Sequence, residues 1–238
     1  MNRGLYTAAT GMSAAQRMLD VTANNLANVS TNAFKADGLM FKDALEKQMN
    51  LGGRNIGEMS FGVEAAGQYT DFSQGTITGT GNPLDLAIDN SKGAFKVQTP
   101  QGQTRFTRDG AFRLNSDNQL VTRDGSLVLD NNDAPIVIDG TPYQIDKTGV
   151  ISSNGQEIAK IGIFDGTFTK EGGNLFSSQD AKSDDAIGVA PRSIEGSNVN
   201  AVEAMVQMIT TSRTFEMAQK AVSQHDELTQ KLIQSIGG

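Results

Sequence analysis

Counting in sevens from Leu5 meets Met12, Leu19 and Leu26, and the positions three further on are Ala8, Ala15, Thr22 and Val29. Apolar or small residues at a period of 3.5 form a seam, which predicts a helix with one narrow apolar stripe. Gly11 costs that helix about 1 kcal/mol relative to Ala, so it is expected to be marginal alone and to need a partner surface. The far end of the chain repeats the pattern. Met208, Phe215, Val222, Thr229 and Ile236 recur in sevens, with Ala204, Thr211, Ala218, His225 and Leu232 at the second position. Asn200 followed by Glu203 offers an amide version of the capping box, and Gly237 can close the other end.

Between the two seams the period changes to two. Leu84, Leu86 and Ile88 alternate, as do Phe95 and Val97, Phe112 and Leu114, and Leu127 and Leu129, each run bounded by Gly, Pro, Asn or Asp. Residues 107–121 are echoed at once by residues 122–136, both beginning Thr-Arg-Asp-Gly, and fifteen residues suit two short strands and two turns. Asp-Gly pairs at Asp109-Gly110, Asp124-Gly125, Asp139-Gly140 and Asp165-Gly166 supply turn corners, because Gly accepts positive φ and Asp tolerates it. The expected fold class is α+β: N- and C-terminal helices paired as a coiled-coil-like stalk, and a central antiparallel β domain, a distorted barrel or sandwich. The expected divisions are an N-terminal helix over 1–33, a connector over 34–74, the β domain over 75–188, a connector over 189–199 and a C-terminal helix over 200–238. Within the first connector, residues 50–67 carry Gly52-Gly53, Gly57 and Gly62 and read as flexible.

Composition narrows the function. With 238 residues the chain can build one sizeable core or two small ones, and 37% hydrophobic content fits a folded protein. Its 20 basic and 27 acidic residues give −7 without a Lys/Arg block, which disfavours nucleic acid and anionic membranes as partners. The absence of cysteine removes disulfides, thiolate metal sites and cysteine nucleophiles. No run is long enough to span a bilayer, and the first residues lack the continuous apolar segment of a secretory signal, so the chain stays in the cytoplasm or leaves without a cleaved signal.

Catalytic chemistry is thinly supported. The single histidine, His225, falls on a helix seam, with no Ser/His/Asp grouping around it in sequence. The glycines around Gly79 and Gly81 precede an alternating strand rather than joining a strand to a helix, so a phosphate cradle is not expected. The acidic run from Asp130 to Asp133 lacks the Gly and Glu a calcium loop needs, having Pro135 and Thr141 there. Asp184-Asp185 reads as solvated loop charge. No catalytic residue, cofactor or metal site is expected, and the chain is not expected to be an enzyme.

Three separated stretches carry a resemblance. Residues 24–35, Asn-Asn-Leu-Ala-Asn-Val-Ser-Thr-Asn-Ala-Phe-Lys, resemble the N-terminal signature of bacterial flagellar rod and hook proteins. Residues 195–206, followed by Arg213-Thr214-Phe215-Glu216, are similar to that family's C-terminal segment, and residues 81–89 with 106–110 to its shared central domain. One departure stands after Asp89, where Asn90-Ser91-Lys92-Gly93-Ala94-Phe95 replaces the family's usual glycine pair and two aromatics. The resemblance implies terminal helices paired coaxially, many subunits in a helical tube, and a β domain outside it. The short chain and its ending look more like the proximal-rod than the longer distal-rod member.

By the same resemblance the chain would be a structural subunit of the basal-body rod, crossing the periplasm, exported without a cleaved signal and transmitting torque from motor to hook. Its implied partners are copies of itself, other proximal and distal rod proteins and the flagellar export apparatus, with no nucleic acid and no membrane insertion. The expected assembly interface comprises Leu5, Met12, Leu19, Asn24, Asn25, Leu26, Asn28, Val29, Asn32 and Phe34 at one end. At the other it comprises Asn198, Val199, Asn200, Val202, Met205, Met208, Ile209, Phe215, Val222, Leu232 and Ile236. The crowded asparagines are expected to set register, as a buried amide does in coiled coils, and to stop the helix by bonding local backbone. A β-domain binding module on a helical stalk is the competing class, and a glycan hydrolase is disfavoured because no paired acids stand in a cleft context.

Overall fold

The computed structural model describes residues 3–43, 46–51, 54–60, 62–139, 142–153 and 155–236. They form two compact units, the first of Met1–Ala27, Asp37–Tyr69 and Asn200–Gly238, the second of Asn28–Ala36 and Thr70–Val199.

The first unit holds helix α1, Arg3–Ala27, and helix α2, Ala201–Ile236. Their seams meet. Along α1, Leu5, Ala8, Met12, Leu19 and Leu26 are half-buried while Ala15 and Thr22 are buried. Along α2, Ala204 is buried and Met208, Thr211, Phe215, Ala218, Val222, His225 and Thr229 are half-buried, with exposed residues between them. Thr22 tolerates its buried place because its hydroxyl donates to the Met18 carbonyl at 2.7 Å. Gln207 Nε2 lies 3.8 Å from Met18 Sδ. With coverage reaching Leu5 on one helix and Thr229 on the other, that contact aligns the pair antiparallel. The starting turn of α2 is capped as its sequence implies: the Asn200 side chain accepts from the amides of Val202 at 3.0 Å and Glu203 at 3.3 Å.

The connector expected over 34–74, and read as flexible over 50–67, carries strands in its described residues. They form two antiparallel ladders, Asp37–Asp43 with Val63–Thr70 and Glu46–Leu51 with Arg54–Ser60. The glycines of this region include Gly38, whose missing side chain leaves room for Tyr69, since a Cβ there would stand 2.5 Å from that ring. The pair Asp37–Asp43 and Val63–Thr70 holds no fully buried residue among those described, so its pattern is weakly periodic and escapes notice.

In the second unit every described strand pairing is antiparallel. One path runs through Thr169–Gly172, Leu175–Ser177, Thr104–Thr107 and Gly93–Gln98, then Leu127–Val128, Leu120–Val121 and Arg113–Leu114. Gly93–Gln98 forks the sheet: its first half pairs with Ile163–Asp165 and its second with Leu127–Val128. Tyr143–Ile145, Val150–Ser153 and Gln156–Lys160 make a separate three-stranded meander. Leu86, Ile88, Phe95, Val97, Leu120, Val128, Ile136 and Ile151 lie in one apolar core, while Phe106, Phe164 and Phe176 build an aromatic satellite. The alternating runs were the right places for strands, but Ala87 between Leu86 and Ile88 is also fully buried, so that strand is enclosed on both faces.

Of the expected Asp-Gly corners, Asp124-Gly125 is a left-handed turn with φ +82° at Gly125. Gly110 is needed for a different reason: a Cβ there would sit 1.7 Å from the Leu86 carbonyl oxygen, so strand Leu86–Ile88 could not approach. Gly166 likewise packs against Ala181, and Gly140 lies outside the described residues.

Candidate assembly surface

The helix seams face one another within the chain: with α1 packed on α2, Leu5, Met12, Leu19, Leu26, Met208, Phe215 and Val222 are half-buried. A different stripe stays open. Val202, Met205, Val206 and Ile209 recur at i, i+3, i+4 and i+7 on α2 and are 71%, 50%, 58% and 55% exposed. That spacing puts them on one face, about one third of a turn from the covered seam. Further along α2, Met217 and Leu228 are also exposed, and the ribbons add Met40, Phe41 and Tyr69. Val206, Met217, Leu228 and the ribbon residues were absent from the sequence-based interface. Helical spacing from Val202 would have found Val206, whereas nothing periodic marks the ribbon. The backbones of Leu232 and Ile236 continue α2, and their side chains lie outside the described set.

The asparagines of the N-terminal signature serve the chain's own backbone. Asn25 donates to the Asp37 carbonyl at 2.8 Å and accepts from the Asp37 amide at 3.0 Å, pairing with that residue as a neighbouring strand would. Asn28 closes a turn, its carbonyl and side-chain oxygen each accepting from Thr31 at 3.1 Å. Asn24 is exposed on α1. Asn28 bonds locally just past the end of α1, as the helix-stop expectation has it, whereas Asn25 reaches twelve positions on to Asp37; α1 ends at Ala27, short of the expected residue 33.

The second unit gathers the rest of the signature around charge. Lys35 and Glu195 are fully buried, 2.7 Å apart, and the other Glu195 oxygen lies 3.0 Å from Nε of Arg108, which is 1% exposed. Backbone groups complete the coordination. Lys35 donates to Ser73 O at 2.6 Å, Arg108 to the carbonyls of Gly93 and Asn90 at 2.6 Å each, and Glu195 accepts from the Gly75 amide at 2.8 Å. Burial pulls the Lys35 pKa below its ordinary value, against the hydrogen bond to Glu195 that raises it. Asn198 adds a clamp, accepting from Ala36 N at 2.7 Å and donating to Asp71 O at 2.8 Å, while its own backbone amide donates to Phe34 O at 3.2 Å.

Phe34 is buried beneath the Lys170 ammonium, 4.0 Å from the ring centroid. Asn32 O accepts from Asn174 at 2.6 Å, and its side chain hydrogen-bonds Asp109, whose pKa burial raises. Val29 and Val199 are half-buried. The ion cluster was missed because isolated charges read as solvated, yet each of the three motif stretches contributes one member: Lys35, Arg108 and Glu195.

The acidic run caps itself: Asp130 accepts from the amides of Asn132 at 2.7 Å and Ala134 at 2.8 Å, and Asp133 pairs with Lys96. His225 lies on the α2 seam, with Nδ1 3.4 Å from the Thr229 hydroxyl.

Three family models match this arrangement in order. Residues 5–35 match that of the flagella basal body rod protein, 87–153 the D1 domain of the flagellar hook protein FlgE/F/G, and 190–235 the C-terminal model of the flagellar basal body rod FlgEFG protein. The chain is 33% identical over 258 residues to the flagellar basal-body rod protein FlgG of Agrobacterium fabrum, spanning 95% of this chain and 96% of the relative. It is 33% identical over 247 residues to the flagellar basal-body rod protein FlgF of Caulobacter vibrioides, spanning 100% of this chain and 99% of the relative. A Mesorhizobium japonicum FlgF is 30% identical over 248 residues with the same coverage. The chain belongs to the family of flagellar basal-body rod and hook proteins that includes FlgF and FlgG.

Proposed function

We propose that this chain is a subunit of the proximal rod, stacking with copies of itself and with other rod proteins through the outer faces of its terminal helices. The observation that carries this is the open stripe Val202, Met205, Val206 and Ile209 beside a seam already satisfied by α1. One chain supplies a partner for one face of α2, and an apolar face at helical spacing takes a second helix or groove. A role in transmitting torque makes and breaks no bond, and the interface residues at both ends act by packing.

End-to-end alignment with the FlgF relatives, 100% of this chain against 99% of theirs, supports the proximal over the distal position; the FlgG match leaves part of each chain outside it. The site of action is the rod where it crosses the periplasm, reached through the flagellar export apparatus. Secretion should therefore stop when that apparatus is disabled, and secretion that persists would refute the route.

Quantitative mass spectrometry of purified basal bodies, with the distal rod protein as internal standard, tests the assignment. A few copies per particle, well below the distal rod, is the expected result. Parity with a major rod or hook component would place the chain elsewhere along the axis, and absence would leave family membership without the proposed position.

A further inference from the structure

The second unit is closed by the last of its own segments to be made, which α2 follows in the chain. Val189–Pro191 pairs with Leu86–Ile88, and Ser193–Glu195 pairs with Ile77–Gly79. The same segment brings Glu195, whose carboxylate meets both Lys35 and Arg108, and whose carbonyl accepts from the Ala33 amide at 2.8 Å. Asn198 then ties Ala36 and Asp71 together. Three charges separated by 73 and 87 positions thus become mutually dependent in a site from which water is excluded (35 to 108, 108 to 195).

With Glu195 taken away from the native arrangement, Lys35 and Arg108 would lose the carboxylate that bridges them. Carbonyl oxygens of Ser73, Gly93 and Asn90 solvate them in part, but a buried cation stripped of its ion partner is strongly disfavoured. Asp71, whose charge also acts on Lys35, substitutes only in part. It is exposed, and its carboxylate is held by the amide of Ser73 at 2.8 Å and the Ser73 hydroxyl at 3.0 Å.

We propose that the Lys35–Glu195–Arg108 cluster is a closing lock: the β unit does not hold its fold until residues 193–198 dock, so a chain made or threaded from its N-terminus keeps this unit open until nearly complete. The lock goes beyond the assembly reading, because it concerns the folding of one chain and stands whether or not the helices polymerise. Its physical basis is that non-local contacts stabilise only after the loop that joins them has closed, and here the gain includes relief of stranded charge.

Pulse-labelled hydrogen exchange during refolding of the full chain tests it. The core amides of Phe95, Val97 and Phe106 should gain protection in the same phase as those of Ala33, Gly196 and Asn198. Core protection that precedes theirs overturns the proposal. At equilibrium, Glu195→Gln, which keeps the shape and removes the charge, should speed exchange at those core amides on the order of a hundredfold. Acceleration confined to residues near position 195 overturns it. Asp185→Asn, which breaks only the exposed pair with Lys160, should leave the core amides unchanged. Lys35→Met combined with Glu195→Gln removes one stranded cation and should recover roughly tenfold of the lost protection, including the case in which the single variant does not fold. A double variant no better than the single one refutes the ionic basis of the lock.

Discussion

Asparagine carries a donor and an acceptor on a short arm, the same pair that a peptide group offers, and Asn25, Asn198 and Asn200 each use that likeness to bind backbone. Asn25→Ala leaves the part-buried Asp37 amide and carbonyl to find water and should lower thermal stability of the first unit by about 1–3 kcal/mol. Asn25→Asp keeps an acceptor but sets a carboxylate against the Asp37 carbonyl, so it should be at least as damaging; a milder effect than Ala would show that the donor half of the bond contributes little. Ala33 occupies a left-handed conformation with φ 52° while 1% exposed. Ala33→Val should therefore destabilise by more than about 2 kcal/mol in denaturant melts, whereas Ala33→Gly should be close to neutral, strain relief offsetting the lost methyl and the freer unfolded chain. Asp146 takes the Thr148 hydroxyl at 2.7 Å and the amides of Thr148 and Val150 at 2.8 and 3.0 Å, and these bonds, the hydroxyl foremost, hold its pKa below the usual value. A depressed folded-state pKa means stability present above the ordinary aspartate range and lost as pH falls through the lowered value. The melting-temperature gap between the natural chain and Asp146→Asn should thus be widest near neutrality and close in acid. Residue roles were the least legible level of the sequence: an asparagine in a turn looks the same whether it bonds its own loop or a residue twelve positions on.

The two Thr-Arg-Asp-Gly copies show what the element around a motif decides. In the first, Arg108 is buried in the ion cluster and Gly110 admits a neighbouring strand; in the second, Arg123 is exposed and Gly125 turns a hairpin. Repeated sequence announced repeated strands and left their different fates unstated, because burial depends on what packs opposite. Helices were the most legible elements, since a period of 3.5 sustained over about four heptads has few other causes. The two faces of α2 separate experimentally. Val206→Glu with Ile209→Glu should leave the melting of the isolated chain within about 0.5 kcal/mol yet prevent its incorporation into basal bodies. Ala204→Glu, on the buried seam, should loosen the helix pair itself, seen as lost helicity by circular dichroism. If the exposed double variant still incorporates, the stripe is not the contact.

At the scale of the whole molecule, the two units differ in how they are held. The second has enclosed aliphatic and aromatic clusters, whereas along the described helix seams only Ala15, Thr22 and Ala204 are fully buried. Half-covered side chains contribute less than the roughly 1.5–3 kcal/mol of full burial, so the helix amides of dilute chain should exchange far faster than those of the β core. Strong protection of residues 5–26 at dilution would mean that α1 needs no further partner. The α+β class and its order along the chain were readable because periods of 3.5 and 2 do not overlap; the strand pair Asp37–Asp43 with Val63–Thr70 and the ion cluster were not, the first for want of a buried face among its described residues and the second because its members are remote in sequence. With 25 and 36 residues, α1 and α2 span about 37 and 54 Å, so α2 is some three turns the longer, and Leu228 near its far end is exposed. Ordering the extra turns costs entropy, which on the proposed assembly an incoming neighbour would help to offset. On that proposal the cost would fall hardest on the first few subunits and least on those joining a formed end, which is the condition for a nucleation barrier: spontaneous filaments should be rare in bulk, and growth should favour a template that already presents the missing surface.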